Sequence, residues 1–192
     1  RTAMYMPNLL TAASISILAA TLFAYPTGPI NQFLVQTGII DETFNFFRSE
    51  AASSYIVSGI QTWMWYGNSI LILMAGISGI DTSVYEAAMV DGSSSWNTFR
   101  YITIPLLKPI LIYMMVTSLV GGLQLFDIPF MITDGRGAPN ESLNTVSMLL
   151  YNHAFTGKNY YGYSAAISVV LFIIIAFCSM LVYRSMTEKE EG

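Results

Sequence analysis

One cysteine and one histidine in the whole chain close off several chemistries. A disulfide framework needs paired cysteines and a thiolate zinc site needs several, so Cys178 supports neither. A metal centre built on imidazole needs more than His153. Charge is also scarce: Asp, Glu, Lys and Arg make up 10% of the residues, where a soluble domain carries about 25%. Eight Lys+Arg stand against twelve Asp+Glu, a net charge of −4. That balance lacks the basic footprint that nucleic-acid binding requires. A Gly-x4-Gly-Lys-[Ser/Thr] phosphate loop is missing too, so this chain does not bind and hydrolyse ATP by that route. No cluster of His, Asp or Glu marks an enzyme site. An ion-driven secondary transporter predicts intramembrane carboxylates, and only Asp127 comes near that description.

Apolar residues are abundant, at 54%, and they are gathered into runs. Ala3 to Tyr25, Ala51 to Ile80, Pro109 to Phe126 and Asn159 to Tyr183 contain no charged side chain. A helix crossing the hydrocarbon core needs about 20 mostly apolar residues. Soluble helices show a polar face every few residues, and these runs do not. Backbone groups in lipid must bond within their own segment, so the runs predict helices. The fold class expected is an all-α, polytopic membrane helical bundle with four spans.

Orientation follows from Lys and Arg near span ends. The second loop, with Arg1 and the tail, holds Arg1, Arg100, Lys108, Arg184 and Lys189, against Arg48, Arg136 and Lys158 in the first and third loops. This bias places the second loop and the C-terminus in the cytoplasm.

That second loop carries the strongest signal. It reads Ile80-Asp81-Thr82-Ser83-Val84-Tyr85-Glu86-Ala87-Ala88-Met89-Val90-Asp91-Gly92. Ser83 followed by Glu86 has capping-box spacing, and Asp81 and Thr82 are alternative caps. Gly92 suits the left-handed residue that ends a helix. The loop therefore predicts a short capped helix, with Glu86 and small alanines available for close approach by a partner. The alternative is an ordinary capped loop helix in which Glu86 serves only the capping box.

In the third span, Tyr113, Thr117, Gly121 and Gln124 are spaced to share one helical face, and Asp127 continues the stripe outward. Two readings stand: the lining of a translocation cavity, or tight helix–helix packing through small and hydroxyl residues. Trp63, Trp65 and Tyr66 lie inside the second span, where they pack against neighbouring helices or line the path. Tyr160, Tyr161 and Tyr163 open the last span as belt aromatics, and His153 reads as a packing or surface residue.

Glu86-Ala87-Ala88, then Asp91-Gly92, then Ile102 and Ile104-Pro105 resemble the EAA loop of binding-protein-dependent ABC importer permeases. Ile104-Pro105 stands where the family usually has Leu-Pro. Trp63-Met64-Trp65-Tyr66-Gly67, Phe126-Asp127, the turn from Thr133 to Pro139, Tyr161-Gly162-Tyr163-Ser164-Ala165-Ala166 and Gly28-Pro29-Ile30-Asn31 are similar to stretches of the carbohydrate, maltose-like type.

The resemblance implies a permease subunit of an ATP-driven importer for a sugar or oligosaccharide; a permease for another small solute is the alternative. It implies a bacterial inner-membrane location. It implies cytoplasmic ATPase subunits that hold ATP-Mg, with no cofactor in this chain. It further implies an extracytoplasmic sugar-binding protein and a second permease subunit, a heterodimer being expected because the family often pairs unlike permeases. Glu86, Ala87, Ala88, Asp91 and Gly92 are then the ATPase-coupling residues. Residues 1–192 form one transmembrane domain, with the coupling loop at 81–105. Such permeases have six core spans, so the four seen here correspond to the last four, and a C-terminal fragment is expected.

Overall fold

A computed structural model describes residues 5–157 and 159–187 as helices joined by turns, with no strand among the described residues. Arg1, Lys158 and Lys189, which enter the charge comparison, lie outside them. In chain order the helices are α1 (Ala12–Leu22), α2 (Pro29–Gln36), α3 (Glu50–Ser78), α4 (Thr82–Val90), α5 (Ser95–Thr98), α6 (Ile104–Leu123), α7 (Asp127–Thr133), α8 (Val146–Phe155) and α9 (Tyr161–Thr187). A π-helical turn, Phe99–Thr103, joins α5 to α6.

Two helical stretches are long and apolar enough to cross a membrane, Ser95–Thr133 and Tyr161–Thr187. A third qualifies when Glu50–Ser78 is taken with Thr82–Val90, to which it is bent by 67°. The chain is an all-α integral membrane protein, as expected from its composition. The first of the four expected spans differs. α1 has 11 residues, ~16 Å at ~1.5 Å per residue, about half of a ~30 Å hydrocarbon core. Pro7 lies in a 3-10 turn ahead of it, and Leu10 and Thr11 are extended, with ψ of 144° and 146°. The Thr11 hydroxyl then caps α1 by accepting from the Ser14 N–H at 3.2 Å. With Leu10 and Thr11 extended and the Thr11 side chain satisfying one of the first free donors, α1 starts at Ala12 and is separate from the turn at Met6–Leu9.

The core is formed by Ile15 of α1, Val57 and Met64 of α3, Ile128 of α7 and Leu143 ahead of α8. On α3 the buried residues Ser53, Val57, Met64 and Gly67 make one stripe at helical spacing. α9 packs on α6 and α8 through a stripe of Ser164, Leu171 and Ile175. The rest of α9 faces outward, Phe172 being 70% and Phe177 61% exposed. A soluble protein rarely carries so large an apolar exterior, whereas hydrocarbon solvates it.

The first and third loops are built rather than slack. Asn31 is fully buried; its side-chain amide donates to the Ala24 and Phe44 carbonyls and its oxygen accepts from the Phe44 N–H. A Cβ on Gly28 would lie 2.5 Å from the Ala24 carbonyl oxygen, so only glycine lets the chain turn there into Pro29. In the third loop, the sequence shows a turn-rich stretch and the structure adds a helix, α8. Asn140 donates to the Glu50 carboxylate at 2.7 Å. That bond places the turn at the start of α3, opposite the end that carries α4.

Candidate coupling element and transport path

α4 sits at the elbow between two long helices, α3 and α6. Its N-cap is Asp81, whose Oδ1 accepts from the Ser83 N–H at 2.9 Å. Among the candidate caps Asp81 prevails, and the capping box between Ser83 and Glu86 does not form. The Ser83 N–H and hydroxyl hold the Asp81 carboxyl below its ordinary value. Glu86 is thereby released from capping; it is exposed and has no hydrogen bond or ion pair among the described residues.

The other end closes as the sequence predicts. Gly92 has φ +70°. The Gly92 N–H donates to the Met89 carbonyl at 3.1 Å and the Ser93 N–H to the Ala88 carbonyl at 2.9 Å, the paired bonds of a Schellman motif. Asp91 is the exposed C-cap residue.

The two faces of α4 are unlike. Ala88 is 6% exposed, and Tyr85, one turn before it, reaches back to the Thr103 hydroxyl at 3.3 Å. Ala88 therefore packs within this chain: at helical spacing it shares the inward face with Tyr85. Glu86, Ala87, Met89 and Val90 are exposed, Val90 to 88%. Three exposed apolar residues beside an unpaired carboxylate make a compact surface on a rigidly capped rod.

Next to the rod, α3 and α6 meet closely. A Cβ on Gly76 would lie 2.3 Å from Ile110 Cδ1 and 2.9 Å from Leu107 Cδ2. α3 and α6 therefore cross there at glycine distance. Beside the crossing is a cleft of about 730 Å3 lined by Ile72, Gly76, Ile80, Val84, Leu106 and Ile110, among others.

The stripe on α6 is partly reorganised. Tyr113, Thr117, Gly121 and Gln124 are exposed in this chain, and a Cβ on Gly121 would meet nothing within 4 Å. They are not packed against this chain's own helices. The Thr117 hydroxyl donates to the Tyr113 carbonyl at 2.8 Å, which satisfies it inside the helix. Asp127 does not continue the stripe: α6 stops at Leu123, Gln124 is its C-cap, and Asp127 opens α7. Pro129 supplies the reason, since it has no N–H for the Leu125 carbonyl and its ring clashes with that carbonyl in a continuous helix. Gln124 instead borders a cleft of about 410 Å3 with Phe126, Ser147, Tyr151, Ser168 and Phe172. Amide, hydroxyl and aromatic groups converge there from α6, α8 and α9, an arrangement the one-helix stripe did not show.

The aromatic groups separate by face. Met64 and Gly67 point into the core, while Trp63, Trp65 and Tyr66 are about half exposed and face away from it. His153 packs beside Tyr163 at a ring distance of 5.1 Å and bonds the Leu149 carbonyl through Nδ1. It is a packing residue of the Tyr160–Tyr163 end of α9. The contact between Tyr85 and Thr103 was not anticipated from the sequence; the visible signal was a tyrosine one turn from Ala88.

Comparison with known proteins agrees with this geometry. The lactose transport system permease protein LacF of Rhizobium radiobacter is 33% identical over 190 residues, which cover 99% of this chain and 63% of LacF. The arabinooligosaccharides transport system permease protein AraP of Bacillus subtilis (strain 168) is 29% identical over 194 residues, 100% of this chain and 61% of AraP. The chain thus spans between 61% and 63% of the length of these relatives. A crystal structure of a bacterial alginate ABC transporter, in complex with alginate pentasaccharide-bound periplasmic protein, shares the fold with a TM-score of 0.76 at 20% identity, over 98% of this chain and 64% of that one. The family model described as binding-protein-dependent transport system inner membrane component matches residues 2–187, and the chain belongs to that family.

Proposed function

We propose that the chain is the membrane-spanning permease part of an ATP-driven importer for a sugar or oligosaccharide, with ATP held and hydrolysed by separate subunits. The observation that carries this reading is α4. It is capped at both ends and presents Glu86, Ala87, Met89 and Val90 outward at the elbow of α3 and α6. A rigid rod with a small apolar surface and one carboxylate suits docking into a cleft of an ATPase, with a basic residue there facing Glu86. α3 and α6 would carry its displacement across the membrane, because they pack on each other at Gly76, where Ile110 and Leu107 fill the space a side chain would need.

In this reading α4 and the C-terminus are cytoplasmic, in a bacterial inner membrane. The opposite end, with its built loops, faces an extracytoplasmic sugar-binding protein. A second permease, expected to be unlike this one, completes the pathway. The outward Trp63, Trp65 and Tyr66 and the cleft around Gln124 supply aromatic and hydrogen-bonding groups of the kind a sugar needs. The permease names among the relatives support a carbohydrate as the cargo.

The test is reconstitution of the full-length permease with its partner subunits in proteoliposomes, with lactose and an arabinooligosaccharide as probes. Uptake that requires both the ATPase and internal ATP supports the reading. Uptake driven by an ion gradient without the ATPase overturns it. Labelling of a cysteine placed at Glu86 by an impermeant reagent on intact cells would overturn the orientation.

A further inference from the structure

The foot of α6 is not an ordinary helix start. Residues Phe99–Thr103 form a π-helical turn, and the Ile104 N–H bonds the Phe99 carbonyl. Pro105 follows at once. In a continuous α-helix its ring would clash with the Tyr101 carbonyl and leave that carbonyl unbonded. A π turn accommodates one extra residue and moves the carbonyl aside. Pro105 therefore holds the segment from Ser93 to Thr98 to α6 through a π-helical joint.

α4 bypasses that joint. The Thr103 hydroxyl, 7% exposed, lies at the α6 side of the turn. It lies 3.5 Å from the Thr98 carbonyl and shares a hydrogen bond with the Tyr85 hydroxyl at 3.3 Å. Ala88 is buried one turn further along the same face of α4. The outward residues Glu86 and Ala87 take no part in this contact.

We infer that the Tyr85–Thr103 hydrogen bond is a latch that delivers displacement of α4 directly to the foot of α6, beside the π turn that Pro105 imposes. Tyr85 and Thr103 are positioning residues: they touch neither sugar nor nucleotide. The inference rests on the importer reading above.

The experiment uses the full-length permease assembled with its ATPase, second permease and binding protein in proteoliposomes, and whichever of lactose or an arabinooligosaccharide it takes up better. ATP hydrolysed per sugar imported is compared for the wild type, Tyr85→Phe, Thr103→Val, Thr103→Ser and the Tyr85→Phe/Thr103→Val double variant. Tyr85→Phe and Thr103→Val are each expected to raise the ratio about two- to ten-fold, the scale of one hydrogen bond. ATPase co-purification is expected to stay unchanged. Thr103→Ser, which keeps the hydroxyl, is expected to hold the wild-type ratio, and the double variant to be no worse than either single one. An unchanged ratio in both single variants overturns the latch. So does loss of ATPase co-purification, since a positioning contact leaves docking intact. A wild-type assembly that imports neither sugar counts against the importer reading instead.

Discussion

Replacing Gly92 isolates one physical effect at the coupling element. A Cβ there would meet nothing within 4 Å, so no atom is displaced by a larger side chain. The cost is torsional: φ is +70°, and an L-residue in the left-handed region is disfavoured by roughly 1–2 kcal/mol. In the free permease that strain is relieved by fraying of the last turn of α4, which breaks the bonds from the Gly92 and Ser93 N–H groups. An ATPase that docks on the intact rod must restore it, so the strain emerges as lost affinity. At about 1.4 kcal/mol per factor of ten, Gly92→Ala is expected to weaken ATPase binding about five- to thirty-fold. Gly92→Val is expected to weaken it more, since a β-branched residue resists positive φ. Gly92→Asn is expected to weaken it less, because asparagine tolerates this region. Gly59→Ala is the control: it too opens onto empty space, but without a positive φ. The assay is equilibrium binding of the ATPase subunit to the full-length permease in nanodiscs. Gly92→Ala and Gly92→Val binding as tightly as the wild type would refute the argument that the docked state requires this turn.

Other substitutions test other links. Glu86→Lys reverses the one charge on the outward face of α4 and is expected to uncouple ATP hydrolysis from uptake; undiminished uptake at normal expression would remove Glu86 from the contact. Gly76→Val drives a side chain into Ile110 and Leu107 and is expected to cost about 1–3 kcal/mol, read as a lower melting temperature and partly restored by adding Ile110→Ala. Gln124→Leu is expected to raise the sugar concentration for half-maximal uptake while leaving ATPase association intact; an unchanged value would return the stripe to simple helix packing. Because the Asp81 carboxyl is held below its ordinary value in the folded protein, its contribution is fully present above the unfolded value and is lost as pH falls through the depressed one. Amide exchange at the start of α4 is expected to show no loss of protection from neutral pH down to the ordinary carboxylate range, with loss only below it, and Asp81→Asn is expected to remove that dependence.

The sequence alone determined that this is a helical membrane protein, because uncharged runs long enough to span hydrocarbon leave the backbone one way to satisfy itself. It also located α4 and the glycine that ends it, since caps and left-handed turns are local events written in adjacent residues. Tertiary structure decided the rest. Asp81 rather than Ser83 caps α4, which leaves Glu86 outward. Ala88 turns inward while Ala87 does not, on the face of α4 from which Tyr85 bonds Thr103, eighteen positions away. Thr11 cuts the first apolar run to a short helix, and Pro129 parts Asp127 from the stripe on α6. The caps and the Pro129 break are local competitions that several adjacent residues could have won, whereas the inward turn of Ala88 accompanies a contact from Tyr85 to Thr103 of which periodicity within one segment carries no record.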